Sequence, residues 1–482
     1  MQLKRLTEGA ERQGLLGAFE ERLRTCGAGS PAGDVAFAPR SPITVGRGPA
    51  RIDVMGGIAD YSGSVVFEGT LGQAAVVAFQ PRTDGLLRVR STLLEDQGKP
   101  CEVLVPLDEL RRGGAPVDYE AARARLTADP AGAWAAYVLG AVVVLEREGL
   151  ARLDGGAGLL LWSDVPIGVG VASSAAVEVA SMYAIACGLG LQIPGERLAA
   201  LAQMVENRVV GAPCGIMDQV TSALGESGKL LALRCQPCEV LGLGELPPDV
   251  AVFGISSRVE HRVGGSPYTD ARVSAFMGLK VILSRMQARR MPITERSHYL
   301  CNVTPRAYRE QFRDALPDSI RGDEFLRRWG PTTDKVTRVD PNKTYKVRLG
   351  AEHPIYENSR VQAFIECIER AHAGDCTALV EAGGLMEASH WSYGRNCNLG
   401  CEETDLLVRL VRRRGPEHGL FGAKITGGGS GGTVAILARK DAAPAVREIA
   451  AEYAAQTGIT PDIFDSTSPG AYAFGARQYV LE

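Results

Sequence analysis

The hydrophobic period changes several times along this chain, and each change marks an element. Before residue 40 an apolar stripe at helical spacing, "ERQGLLGAFEERLRT" (residues 11–25), leads into a connection rich in Gly, Pro and Ala. From Ile43 onward β-branched runs alternate with glycines. "VVFEGTLGQAAVVAFQPR" (65–82) and "LLRVRSTLL" (86–94), with "TDG" between them, predict two strands joined by a tight turn. "AGAWAAYVLGAVVVLEREG" (131–149), "AAVEVASMYAIACGLG" (175–190) and "GERLAALAQMVENRVVG" (195–211) carry apolar residues at helical spacing, and "AGLLLWSDV" (157–165) reads as a strand. "GKLLALRCQ" and "DVAVFGISS" are strand candidates on either side of "ELPPD", which puts a domain boundary near Pro247 and Pro248. Beyond it the pattern predicts a helix over "DARVSAFMGLKVILSRMQARR" and an irregular charged stretch over 292–352. Helices follow at "YENSRVQAFIECIERAHAG" and "CEETDLLVRLVRRRG", then a strand "FGAKI" and a last helix "AAPAVREIAAEYAAQTG". The organisation expected is an extension over 1–40, a first domain over 41–247 and a second over 248–482.

Three glycine-rich segments stand out against this pattern. "VPIGVGVASSAAVEVASMYAIA" (165–186) places Gly168, Val169, Gly170, Ala172, Ser173 and Ser174 at the start of a helix. The first amides of a helix are unpaired and its positive dipole end attracts an anion, so a phosphate fits there. An ordinary N-cap at Ser173 or Ser174 explains the same residues. No G-x-x-x-x-G-K-[ST] occurs, and "GVGVAS" lacks the third glycine of a dinucleotide fingerprint, so any phosphate site is of another class. "TGGGSGGTVAIL" contains Gly428 and Gly429 between strands, where backbone approaches something closely or simply turns. "GRGPARIDVMGGIADYSGS" (46–64) presents Arg51, Asp60 and Tyr61 among glycines.

Composition narrows the partners. The 482 residues are 45% hydrophobic and 23% charged, with a formal net charge of −3 and a pI near 6.2. There is no basic footprint for nucleic acid or an anionic membrane, which leaves a small molecule as the expected ligand. No apolar run approaches the roughly 20 residues a spanning helix needs, and the N-terminus has no signal-like core, so the expected setting is the cytoplasm. Eleven scattered cysteines suit unpaired thiols in a reducing compartment. "CQPC" and "CNLGC" lie far apart with no nearby His, and read as structural cysteines rather than a split zinc site.

Taken in order, the Arg-then-Asp loop, the Gly-Ser helix start, "GAPCGIMDQ" and the late "TGGGSGG" resemble the GHMP small-molecule kinases, in their galactokinase-like branch. "WAAYVLG", "VGGSPYTDARV" and "GLMEASHWSYG" are similar to galactokinase segments, and the resemblance covers nearly everything after residue 40. It implies an α+β fold of two lobes, an S5-domain-2-like α/β lobe followed by a ferredoxin-like α+β lobe. Ser430 stands where galactokinases often have an aromatic or aliphatic residue. A more telling departure is Gly57 and Ile58, where galactokinases carry a Glu-His pair ahead of the sugar-binding aspartate. With that polar group gone, a C6 hydroxyl is left unpaired at about 1–3 kcal/mol, so the expected sugar is a pentose. "RIDVMGGIADYSG", "GAPCGIMDQVTSALGESGKLLALRCQP" and the stretch 323–358 resemble L-arabinokinases.

The resemblance implies an enzyme that moves the γ-phosphate of ATP to the anomeric hydroxyl of a monosaccharide, with L-arabinose expected. Galactose, a uronic acid, or a sensor that binds sugar and ATP without turnover are the alternatives. Gly168, Val169, Gly170, Ala172, Ser173 and Ser174, with Gly428 and Gly429, would cradle ATP; Ser174 and Glu206 match the family's Mg²⁺ ligands. Asp218 corresponds to the catalytic aspartate and Arg51 to its partner, while Asp60, Gly215 and Tyr268 would line the sugar pocket. Each has an ordinary reading: Glu206 on a solvated helix face, Tyr268 at a helix cap, Arg51 in a surface ion pair. Trp134 and Tyr137 border adenine or fill a helix core. The expected assembly is a monomer or small homo-oligomer.

Overall fold

The computed structural model describes residues 3–6, 16–26, 37–259 and 266–482. The first part of the helix expected over 11–25, residues 11–15, and the "VGG" of "VGGSPYTDARV" lie outside them. Two sheets organise the chain. The first is built on β2 (Ile43–Met55) and β3 (Val65–Pro81), two long antiparallel strands in which nearly every side chain is buried. β1 (Leu3–Arg5) lies at its edge, beside the last strand of the chain, residues 477–481, which pairs with β2.

The strands flanking "TDG" do not pair with each other. β4 (Leu86–Ser91) and β5 (Glu102–Pro106) form an antiparallel pair, and β6 (Gly156–Ser163) inserts between β3 and β4, antiparallel to β3 and parallel to β4. The amides of Arg82 and Gly85 donate to the carbonyls of Gly156 and Gly155 at 3.0 and 2.7 Å, so the turn wraps the start of β6. β6 is apolar on both faces, which suits a central strand better than an edge. β7 (Lys229–Arg234) pairs with the first residues of β3. β8 (Glu239–Glu245), a strand the pattern did not predict, extends β7 as an exposed ribbon. Its glycines and exposed positions hide the period-2 signal.

Over the first sheet lie α1 (Gly17–Cys26), α2 (Ala136–Arg147), α3 (Ser173–Gly188), α4 (Gly195–Met204) and α5 (Met217–Leu224). α3 runs against β2 so closely that a Cβ at Gly46 or Gly48 would sit 2.5 or 2.4 Å from the carbonyl oxygens of Ala180 and Ala176. α4 passes directly into one turn of π-helix, Val205–Val210, a widened geometry that aims Glu206 inward.

The second sheet is antiparallel, in the order β10 (Leu420–Ile425), β11 (Thr433–Arg439), β9 (Val250–Ser256) and β12 (Ile463–Phe464); β13 (Arg477–Leu481) is the strand that returns to the first sheet. On it pack α8 (Ala378–Cys397), α9 (Glu402–Arg414) and α10 (Ala443–Thr457), while α7 (Val347–His372) packs against α8, against α6 (Ser266–Ala288) and against β2 and β3 of the first sheet. α7 begins nine residues before the expected start at Tyr356 and carries Pro354 inside it. The stretch 292–352 holds short helical turns, including Gly322–Trp329. No helix among the described residues is long and apolar enough to cross a membrane.

One buried ion pair joins the two sheets. Lys424 on β10 reaches Asp53 on β2 at 2.5 Å, both side chains fully buried, and the Asp53 amide donates to the Thr426 hydroxyl at 2.8 Å.

Candidate active site

At the joint between the sheets lies a cavity of about 240 Å³. Its floor is the turn entering α3. Gly168, Gly170 and Ala172 all take the left-handed conformation, at φ 77°, 77° and 60°. That coil leaves Ala172 as the N-cap, with no side-chain bond closing the helix end. Ser173 and Ser174 are therefore the first helical residues rather than caps, and the helix start stays open toward the cavity they line. Val169 does not line it; its carbonyl accepts from the Thr433 hydroxyl at 2.7 Å, fastening this turn to β11. Gly428 lines the opposite side, whereas Gly429 packs on Leu399, whose carbonyl a Cβ there would meet at 2.7 Å. The two glycine loops touch: a Cβ at Gly170 would lie 3.2 Å from the Gly432 Cα.

Asp218 enters from the first turn of α5, partly exposed to the cavity. Arg51, 2% exposed on β2, donates to its Oδ1 from Nε at 2.9 Å and Nη2 at 2.6 Å. The Nη1 nitrogen reaches the Gly170 carbonyl at 3.2 Å and the Thr426 hydroxyl at 3.4 Å, and the Glu68 carboxylate stands 3.4 Å from Nε. Burial works against this guanidinium charge, but Asp218, Glu68 and Asp53 more than offset it, so its pKa is raised. This is a buried, multiply bonded cation, not a surface ion pair.

Asp60 and Gly215 meet at the other end. A Cβ on Gly215 would fall 1.5 Å from Asp60 Oδ2, so only glycine allows the carboxylate its position. Asp60 Oδ1 accepts from the Tyr61 amide at 2.6 Å. Burial and the Asp218 carboxylate push the Asp60 pKa up to about 7, against the pull of Arg272, the Tyr61 amide and Arg51. Tyr268, in the first turn of α6, lines the cavity and meets Tyr61 edge to face at 6.2 Å. Ile58 presents an apolar wall there.

Gly57 has no room for a side chain: a Cβ would stand 1.6 Å from the Tyr393 hydroxyl and 2.7 Å from Asp53 Oδ2, at φ +45°. That hydroxyl accepts from the Ile58 amide and donates to the Gly427 carbonyl, each at 2.9 Å. Tyr393 thus fills the space beside Gly57 and ties the Asp60 loop to the late glycine loop.

Ser174 and Glu206 face each other across the α3 end, with Ser174 bonded to the Glu206 carboxyl. Burial and Asp218 raise the Glu206 pKa to about 7, against hydrogen bonds from Cys214, Ser174 and Gln219. Gln219 Nε2 donates to Glu206 at 2.9 Å and to Glu178 at 3.0 Å, fixing the carboxylate from behind. Among the described residues no cluster of three or more His, Cys, Asp or Glu could hold a metal. A carboxylate and a hydroxyl beside an open helix end nonetheless fit Mg²⁺, which takes oxygen ligands and completes its shell with water and phosphate. Tyr137 also lines the cavity; Trp134 does not, and its buried indole N–H has no partner among the described residues.

Sequence reading missed Asp53, Glu68, Glu178, Gln219, Arg272, Tyr393, Lys424 and Thr426. The signal for three of them was available: Asp53 and Glu68 are charges inside apolar strands, as is Lys424 in "FGAKI", and a buried charge requires a partner.

The cavity, open helix end and facing glycine loop belong to a recognised class. Residues 136–226 match the GHMP kinases N-terminal domain and residues 377–456 the GHMP kinases C-terminal domain. The chain belongs to the GHMP kinases, in their galactokinase-like branch. It is 41% identical over 484 residues to L-arabinokinase of Arabidopsis thaliana, covering 90% of this chain but 46% of the plant protein, so it spans less than half of that relative. It is 31% identical to galactokinase of Chloroflexus aurantiacus, covering 86% of this chain and 90% of that protein. Lactococcus lactis galactokinase, solved with galactose, shares the fold at TM-score 0.70 and 22% identity, over 96% of this chain and 99% of that one.

Proposed function

We propose that this chain is a sugar 1-kinase that transfers the γ-phosphate of ATP to the anomeric hydroxyl of L-arabinose. The observation that carries the choice of sugar is the apolar end of the cavity. Ile58 lines it, and Gly57 cannot bear a polar side chain because the Tyr393 hydroxyl occupies that volume. A hexose would bury its C6 hydroxyl there without a partner, a loss of about 1–3 kcal/mol or roughly 5- to 150-fold. Similarity to L-arabinokinase supports the same reading.

Phosphoryl transfer asks for in-line positioning and charge stabilisation more than covalent chemistry. The amides from Gly168 to Ser174 would hold the β- and γ-phosphates, with the Gly428 loop closing from the other side. Ser174 and Glu206 would hold Mg²⁺, which when bound neutralises phosphate charge and orients the γ-phosphoryl group. Asp60 would accept hydrogen bonds from sugar hydroxyls, and Gly215 would let the ring approach it. Asp218 would orient the anomeric hydroxyl and take its proton as the bond to phosphorus forms. Arg51, locked on Asp218 Oδ1, would keep that carboxylate in place and stabilise charge on the transferring group.

Two rival readings find less support. A uronic acid would want a cation at its carboxylate, and Arg51 is the one cationic side chain among the described residues lining the cavity, already bonded to Asp218. A sensor has no use for the Asp218, Arg51, Glu206 and Ser174 set. Ten of the eleven cysteines, from Cys101 to Cys401, are free thiols, in keeping with a reducing, cytoplasmic setting. The test is kcat/KM for a panel of sugars with Mg-ATP. L-arabinose should exceed D-galactose by at least fivefold; the reverse order would refute the pentose assignment, and sugar binding without ADP release would favour the sensor.

A further inference from the structure

Arg272 lies in the second turn of α6, 5% exposed and behind the cavity wall. Its guanidinium forms a two-pronged pair with Asp334, Nε to Oδ2 at 2.8 Å and Nη2 to Oδ1 at 3.0 Å. Asp334 comes from the irregular stretch between α6 and α7. The same carboxylate accepts from the amides of Val336 and Thr337 at 3.0 and 3.2 Å and from the Thr337 hydroxyl at 2.6 Å. Burial opposes the Asp334 charge, yet Arg272 and these donors hold its pKa below the usual carboxylate range. Asp334 is therefore a fixed anchor on a self-braced turn.

The rest of the guanidinium faces the sugar end. Nη1 donates to the Cys214 carbonyl at 3.4 Å, and the Arg272 Cζ lies 5.4 Å from the Tyr61 ring centroid and 5.7 Å from that of Phe276. Tyr61 and Cys214 are the chain neighbours of Asp60 and Gly215, which themselves pack in contact. One arginine thus clamps both sides of the Asp60–Gly215 contact.

We propose that Arg272 and Asp334 form a positioning pair through which the segment between α6 and α7 acts on the acceptor end of the site: Asp334 anchors Arg272, and Arg272 keeps Asp60 charged and in place for sugar hydroxyls. The proposal rests on the sugar-kinase reading. The groups facing Asp60 are the Asp218 carboxylate on α5, Arg51 on β2, Arg272 and Tyr268 on α6, the adjacent Tyr61, and the Cys235 thiol just after β7. Burial and Asp218 favour the protonated acid, and Arg272 opposes them more strongly than Arg51 does. A protonated Asp60 gives up acceptor capacity that the sugar needs.

The test compares sugar KM, Mg-ATP KM and kcat across pH for the wild type, Asp334→Asn and the double variant Arg272→Gln/Asp334→Asn, which leaves neither partner as an unpaired buried charge. In the double variant the acid limb of sugar KM should move up by about one pH unit. Relative to wild type, sugar KM would then rise about fivefold more at pH 7 than at pH 9, where only the positional loss shown by Asp334→Asn remains, with kcat and Mg-ATP KM within about threefold of wild type. Asp334→Asn alone should raise sugar KM at pH 7 with the limb in place, because Arg272 keeps its charge but loses its anchor. A limb that stays put in the double variant, with sugar KM raised evenly at all pH or unchanged, would overturn the proposal. Unchanged sugar KM in Asp334→Asn would overturn the anchoring half. A wild type that phosphorylates no free monosaccharide overturns the functional reading as well; an active wild type with an unmoved limb in the double variant overturns this proposal alone.

Discussion

Replacing Gly57 with alanine puts a methyl carbon 1.6 Å from the Tyr393 hydroxyl, far inside contact distance, at a backbone φ of +45°. The left-handed conformation costs a non-glycine residue about 1–2 kcal/mol. The collision must also displace Tyr393, breaking its two 2.9 Å bonds to the Ile58 amide and the Gly427 carbonyl. A buried polar group left unpaired costs about 1–3 kcal/mol, so with one of the two re-paired by water the total is about 2–5 kcal/mol. Urea denaturation reads this as a lowered midpoint, and sugar KM should rise because the same 3₁₀ turn, Gly57–Ser62, carries Asp60. Tyr393→Phe removes the same two bonds without backbone strain. The double variant should therefore be less destabilised than the sum of the singles, by at least about 1 kcal/mol. Strict additivity, or a Gly57→Ala variant within about 0.5 kcal/mol of wild type, would refute the role given to this contact.

Asp218→Asn should lower kcat by about 10²- to 10⁴-fold with sugar affinity nearly unchanged, as measured by calorimetry and steady-state kinetics. Lys424→Met removes the cation that faces the buried Asp53 carboxylate between the two sheets, and should cost about 3–5 kcal/mol by urea unfolding, with Asp53→Leu added restoring part of the loss. Asp60 holds its proton up to about pH 7 in the folded protein but loses it near 3.8 when unfolded, so between those values the native state binds the extra proton. Its stabilising contribution is accordingly full below about pH 4 and is lost as pH rises toward 7. The difference in melting temperature between wild type and Asp60→Asn should shift against the wild type over that range, while the sugar binding proposed for the carboxylate should tighten.

What the sequence made legible was the local chemistry. The glycines before α3, Asp218 after "CGIM" and Gly215 beside it are short-range signals, and the cavity gathers them with Arg51 and Asp60 from strands and turns far apart in the chain. What stayed hidden depends on strand order and lobe contact. The "TDG" hairpin was misread because β6, which arrives some seventy residues later, takes the place between β3 and β4. Tyr393 and Lys424 gave no local hint of their partners, since Ile58 and Asp53 lie more than three hundred residues upstream. Arg272 sits in a long helix whose pattern does not single it out, and its partner Asp334 in a stretch with no periodicity to interpret.

The account stands most directly on which sugar is phosphorylated, and where. Equal concentrations of L-arabinose and D-galactose incubated together with Mg-ATP compete for one site, and ³¹P NMR of the mixture identifies each product and the position of its phosphate. The predicted spectrum is dominated by the anomeric phosphate of L-arabinose. A spectrum dominated by the anomeric phosphate of galactose, or by phosphate on any other hydroxyl, would contradict the account.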